Sequence, residues 1–153
     1  MPSKLLDEIK QAKPFVSVQE ELWLNLSRTA SAVGHTVEQH LRPYGLSPTQ
    51  YNVLRILRGA GGNGLCQADI GDRLVAQVPD VPRILDRMEK AGWVKRERGT
   101  EDRRVVMASL TERGASVVEE VDEPLVQMMA GMFKGMTAED IERLNDLLVA
   151  ARA

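Results

Sequence analysis

From Ser17 to Leu41 apolar residues recur at every third or fourth position. Leu22, Leu26, Val33, Val37 and Leu41 form one stripe, and Thr29 and Ala30 fill its gaps. That period predicts a long amphipathic helix, which Pro43 and Gly45 end. The residues before it, through Pro14, read as a leader or a short docking helix. Ser47 and Pro48 open a second helix, with Ser as N-cap and Pro in the first turn, and it turns Tyr51, Leu54 and Leu57 inward. Four glycines between Gly59 and Gly64 break the chain.

A short helix is expected from about Cys66 to Val75, with Ile70 and Leu74 inward. After a turn at Ala76 to Val78, a fourth helix carries Val81, Ile84, Leu85 and Met88 on one face and stops at Ala91-Gly92. Its start has two registers. Either Val78 precedes Pro79 at the first helical position, or Asp80 is the N-cap with Pro82 in the first turn. Asp caps well and Val does not, which favours the second. Two strands follow, Trp93 to Arg98 and Val105 to Leu110, around the polar tip Gly99-Thr100-Glu101-Asp102-Arg103-Arg104. Thr111-Glu112 opens a long helix to about Lys134, with Val117, Val118, Val121, Leu125, Met128, Met129 and Met132 on one side and Pro124 as a kink point. Thr137 caps a last helix whose apolar face is Ile141, Leu144, Leu147 and Leu148. Asp140 stands where a capping box usually has Glu or Gln, a partial match.

The terminal helices carry more apolar surface than the small middle region can cover, so a second subunit is expected against them. Composition adds limits. The chain has 153 residues and one Cys, which excludes an internal disulfide. No apolar run approaches the ~20 residues of a bilayer span, and the first residues lack the apolar core of a signal peptide. A reducing cytosol is the expected compartment, with no membrane partner. Only 4% of residues are aromatic, which argues against a single-strand binder that stacks bases.

A formal net charge of -2 argues at first against nucleic acid, but it averages unlike regions. Residues 55–113 hold twelve bases and nine acids, a net +3. Residues 114–153 hold three bases and eight acids, a net -5, and residues 1–54 balance at five each. The basic middle and acidic end suggest separate tasks.

Two short helices joined by a turn and followed by a hairpin with a basic tip make a winged helix-turn-helix. The expected fold is thus mainly α with a small β-hairpin wing, flanked by long dimerisation helices. Residues 1–45 and 112–153 would dimerise and residues 46–111 would bind DNA. The second short helix suits the major groove and exposes Asp80, Arg83, Asp86, Arg87 and Lys90. Arg83, Arg87 and Lys90 form one cationic stripe. Arg83 and Arg87 also read as an exposed face bridged to Asp86 or Asp80. The tip carries Arg103 and Arg104 beyond the body, where an Arg can enter a narrow minor groove. Lys95, Arg96 and Arg98 on the first strand are candidates for phosphate contact, or simply an exposed strand edge.

The segments SPTQYNVLRIL, LCQADIGDRL and VPRILDRMEKAGWVKRERGTEDRRVVMASLTERG resemble the multiple antibiotic resistance regulators, the MarR family. The strongest match is Asp102-Arg103-Arg104 running into Leu110-Thr111 and Gly114, similar to that family's wing signature. The resemblance runs from about Val18 to the C-terminus. It implies a dimeric transcription factor, often a repressor, on a pseudo-palindromic duplex operator, with a small lipophilic or aromatic effector. It implies that Val81 to Lys90 is the recognition helix, that Asp102 holds Arg104, and that Arg104 reads the minor groove. It also implies an effector pocket between the dimer helices and the winged region. Candidates for its lining are Trp23, Val33, Val37, Tyr44, Tyr51, Leu54 and Leu125, each of which also reads as ordinary core.

The sequence departs from that pattern at Val78-Pro79-Asp80-Val81-Pro82, where Ser or Thr is usual, and at Cys66, which takes the usual Ser or Thr cap position. The two prolines remove N–H groups that could hold a phosphate. Cys66 at a helix start reads as a small filler or as an oxidant sensor. His35 and His40 stand five apart, wrong for one helical face, so neither a metal nor another cofactor is expected. No nucleophile triad is visible, and Gly59 to Gly64 lacks the Gly-Lys-Ser/Thr ending of a phosphate loop, so an enzyme is not expected. The alternative function is a winged-helix module that binds protein without sequence-specific DNA binding.

Overall fold

The computed structural model describes residues 3–153, which fall into two compact units, one ending at Pro48 and one spanning Thr49–Ala153. In the first unit Ser3 caps helix α1 (Lys4–Glu8) by accepting from Leu5 N, and its hydroxyl donates to the Glu21 carboxylate. Helix α2 (Val18–Leu41) follows. Ser17 is its N-cap and accepts from Glu20 N at 3.1 Å, while the Glu20 carboxylate reaches back to Val16 N at 2.6 Å. This reciprocal pattern satisfies donors that no helical carbonyl can reach. Arg28 pairs with Glu8 at 3.0 Å and ties α2 to α1. Of the 24 residues of α2, Leu41 alone is buried. Leu22 and Trp23 are exposed, Trp23 at 65%.

The second unit holds the sheet. Helix α3 (Pro48–Ala60) starts where Ser47-Pro48 predicts and buries Tyr51, Val53, Leu54 and Leu57. Beyond a 3-10 turn at Gly61–Asn63 lies a strand the sequence pattern does not announce, β1 (Leu65–Cys66). It is only two residues long, too short to show a period. Gly64 makes it possible: its φ is +66°, and a Cβ there would stand 2.3 Å from the Ala108 carbonyl oxygen. Helix α4 (Gln67–Arg73) buries Ile70. Cys66 is at its N-cap but its thiol makes no capping hydrogen bond.

Helix α5 (Val81–Lys90) takes the Asp80 register, with the Asp80 carboxylate accepting from Arg83 N at 3.0 Å and Pro82 in the first turn. Leu85 and Met88 are its buried residues. Strands β2 (Val94–Arg98) and β3 (Val106–Leu110) begin one residue later than the pattern suggests. The sheet is antiparallel in the order β1-β3-β2, with Arg96 opposite Ala108 and Cys66 opposite Met107.

Helix α6 (Glu112–Met132) leaves the sheet through a tight joint. Thr111 N donates to the Trp93 carbonyl at 3.1 Å, the Thr111 hydroxyl donates to the Gly92 carbonyl at 2.6 Å, and Gly114 N donates to that hydroxyl at 3.0 Å. A Cβ on Gly114 would lie 2.0 Å from the Trp93 oxygen. The Leu-Thr-x-x-Gly run is therefore a cap plus a close approach, and it fixes the wing to α6. Pro124 lies inside α6, which continues through it. Helix α7 (Ala138–Ala150) opens on a complete capping box, with Asp140 doing what Glu or Gln usually does. It buries no residue. Among the described residues no helix is long and apolar enough to cross a membrane, and no three His, Cys, Asp or Glu side chains gather as a metal site.

Candidate nucleic-acid interface

The exposed side of α5 carries Arg83, Arg87 and Lys90, spaced so that all three share one face. Among the described residues none of the three has a carboxylate partner. The bridges to Asp80 or Asp86 that sequence allowed are not made. Asp80 caps the helix, and Asp86 pairs with Arg96.

Arg96, a candidate for phosphate contact, is tied to two acids of α5. Its side chain is 21% exposed, against 56% for Lys95 on the same strand. Its Nε and Nη2 donate to Glu89 Oε2 at 3.1 and 2.7 Å, and its backbone N donates to Glu89 Oε1 at 3.2 Å. The hydrogen bonds from Arg96 hold the Glu89 carboxyl below its usual range, and the bond to Glu89 raises the guanidinium in turn. Lys95 is exposed and pairs with Glu97 at 3.3 Å, a loose surface pair of little energetic weight.

The wing tip is built by backbone contacts. Gly99 N donates to the Val105 carbonyl at 2.8 Å and Val105 N to the Asp102 carbonyl at 3.1 Å. Asp102 Oδ1 accepts from Arg104 N at 2.9 Å, a local turn that a short carboxylate favours. Asp102 therefore holds the main chain of Arg104, not its guanidinium. Arg98 donates to the Arg103 carbonyl at 3.2 Å and braces the tip from below. Arg103 and Arg104 are exposed.

The expected effector residues divide. Tyr51 and Leu125 line an open cleft of about 510 Å³ in the second unit, together with Arg55, Arg58, Asp122, Glu123, Val126 and Met129. Leu54 is fully buried and does not reach that cleft. Trp23, Val33, Val37 and Tyr44 belong to the first unit, with Trp23 exposed and the other three half-buried. The polar part of the cleft was not read from sequence. Tyr51 Oη donates to Asp122 Oδ1 at 2.7 Å, Arg58 donates to Asp122 Oδ2, and the Arg55 guanidinium lies 6.0 Å from the Tyr51 ring centre. Burial and the bond to Asp122 push the Tyr51 phenol up to about 12. Burial acts to raise the Asp122 carboxyl as well, but the hydrogen bonds from Arg58 and Tyr51 outweigh it and leave the group below its usual range.

Residues 46–106 match the family model described as "MarR family". The chain is 31% identical over 117 residues to the transcriptional regulator PrsX of Escherichia coli, an alignment covering 76% of this chain and 70% of that protein. It is similar in structure to a MarR transcription factor from Planctomyces limnophilus, with 33% identity, a TM-score of 0.69, and coverage of 90% of this chain and 99% of that one. It also matches a mutant MarR from Escherichia coli solved with operator DNA, at 24% identity and TM-score 0.79, over 97% of this chain and 99% of that one.

Proposed function

The chain belongs to the MarR family, and from that premise we propose that it is a homodimeric repressor of a pseudo-palindromic operator, with DNA affinity set by a small lipophilic or aromatic effector. It is a transcriptional regulator and not an enzyme, as its named relatives are. The observation that carries the DNA reading is the α5 stripe of Arg83, Arg87 and Lys90, exposed and without acid partners among the described residues, in one unit with a wing that exposes Arg103 and Arg104. A helix of this width enters the major groove, and an arginine at a wing tip suits the minor groove. Lys95 supplements them at the phosphates. Asp102 and Arg98 shape the tip. The DNA-bound form of the similar Escherichia coli MarR supports duplex DNA as the partner.

Dimerisation belongs to residues 1–45 and 112–153, where α2 and α7 leave apolar faces uncovered. Two-fold pairing would set the recognition helices about 34 Å apart, one helical turn of DNA. The effector reading rests on the cleft between α3 and α6. Its apolar wall of Leu125, Val126 and Met129 suits a ring, and Arg55, which among the described residues has no carboxylate partner, suits an attached acid, while Arg58 is held by Asp122. The site of action is the cytoplasm.

Selection of bound duplexes from a random pool, followed by competition with a panel of aromatic acids, tests this reading. A recovered pseudo-palindrome whose binding an aromatic acid weakens is the expected result. No enrichment over background at low salt would overturn it and leave a protein-binding winged helix as the better account.

A further inference from the structure

We infer that Arg96 is the positioning residue of the recognition helix: with Glu89 and Asp86 it fixes the rotation of α5 about its own axis, and so decides which side chains face the groove. The inference rests on the DNA-binding reading of α5.

Helix α5 has ten residues and two buried ones, Leu85 and Met88. A helix held along one apolar face is free to roll slightly at little cost. At 3.6 residues per turn, Asp86 and Glu89 fall between that buried face and the stripe of Arg83, Arg87 and Lys90. They are the positions from which a tether would control roll. Arg96 comes from β2, where pairing with Ala108 of β3 fixes its backbone. Its planar fork meets Glu89 Oε2 with two donors, its backbone N–H meets Oε1, and Nη2 also reaches Asp86. Binding both oxygens of one carboxylate sets an orientation as well as a distance. Each tethered acid is followed in sequence by a reading cation, Arg87 after Asp86 and Lys90 after Glu89.

Charge and position make opposite predictions for Glu89→Gln. Removing an acid beside a polyanion should, by charge alone, tighten binding to every duplex. Loss of the tether should weaken binding to the operator instead. The test titrates a duplex selected by the wild-type protein, and a scrambled duplex of equal length, with wild type, Glu89→Gln, Arg96→Gln and the double variant at several salt concentrations. Each single variant is expected to lose roughly tenfold on the selected duplex, as for a hydrogen bond to a charged group. On the scrambled duplex Glu89→Gln should bind no more weakly than wild type and Arg96→Gln should lose far less than on the selected one, with the salt slope unchanged, because neither side chain touches a phosphate. The double variant should be no worse than the poorer single one, because one tether is broken in all three.

Parallel loss on both duplexes in Arg96→Gln, with a salt slope smaller by about one, would make Arg96 a phosphate contact and overturn the inference. Unchanged or tighter operator binding in Glu89→Gln would overturn it too. Arg96→Lys keeps the charge without the fork, should show the same loss of specificity, and serves where Arg96→Gln does not fold. A wild-type protein with no duplex preference would count against the DNA reading alone. Amide exchange then decides the tether. Selective acceleration in α5 of Arg96→Gln or Arg96→Lys supports it, and an even rise across α3, α5 and α6 refutes it.

Discussion

Tyr51 on α3 donates its phenolic hydrogen bond to Asp122 on α6 over 2.7 Å, although 71 positions separate them in the chain. The bond ties the second unit's first helix to its long helix, and Arg58 holds the other carboxylate oxygen. Tyr51→Phe should lower stability by about 1 kcal/mol, since Asp122 keeps its Arg58 partner. The pH dependence is more specific. The folded-state phenol titrates near 12 against an ordinary 10.0, so its contribution is complete below pH 10 and fades as pH rises toward 12. Asp122 has the opposite sign: its folded-state value is depressed, so its contribution holds above the ordinary 3.8 and is lost as pH falls through the folded value. Urea midpoints measured against pH should show an alkaline decline that is smaller in Tyr51→Phe. An identical decline in both proteins would mean that Tyr51 is not its source.

Gly114→Ala and Gly131→Ala are the same chemical change on the same helix with opposite expected results. At Gly114 the added carbon would meet the Trp93 carbonyl oxygen at 2.0 Å, and that carbonyl already accepts from Thr111. Backbone must move, which costs about 1–3 kcal/mol or more. At Gly131 nothing among the described residues lies within 4 Å, so the substitution should be neutral or stabilise α6 by about 0.5–1 kcal/mol. Paired thermal melts check this, and a Gly114→Ala protein as stable as wild type would contradict the joint described between wing and helix.

Arg104→Ala should weaken binding to a selected operator by roughly tenfold or more, the weight of one good Arg contact. Its side chain is exposed, so the melting temperature should not move. Asp102→Ala acts one step earlier. It frees Arg104 N at the tip and should give a smaller loss of affinity, with a looser wing visible as faster amide exchange across Gly99 to Val105. Equal affinities for wild type and Arg104→Ala would remove the wing from the interface.

The winged region was legible because its elements each carry a local signal. Asp80 as N-cap, the Ala91-Gly92 stop and the charged tip before Thr111 are all read from neighbours in sequence. What escaped depends on contacts between distant residues. Strand β1 has two residues and exists only because Gly64 lets the chain approach Ala108. Arg96 looks like any strand-edge cation until Glu89 and Asp86 are seen beside it. Arg58 and Asp122 carry no pattern that links α3 to α6. Leu54 shares the period of Tyr51, and periodicity cannot tell a core residue from one that lines a cleft.

Helix α7 is the sharpest test of the dimer. It buries none of its residues, yet a complete capping box fixes its start, and Ile141, Leu144, Leu147 and Val149 are exposed. An apolar face of this kind is explained by a covering surface, and a second copy of the chain is the occupant proposed here. In a monomer, Leu144→Glu with Leu147→Glu should be harmless, because both side chains are already in water, at 42% and 58% exposure. In a dimer the same pair buries two carboxylates without partners, which is strongly unfavourable. The double variant should therefore sediment as a monomer at micromolar concentration while keeping its helical circular dichroism. Operator affinity should fall by about a hundredfold or more, since the two half-sites are no longer engaged together. Binding to a single half-site should stay as weak as it is for wild type. A double variant that remains dimeric with full operator affinity would place the subunit contact elsewhere.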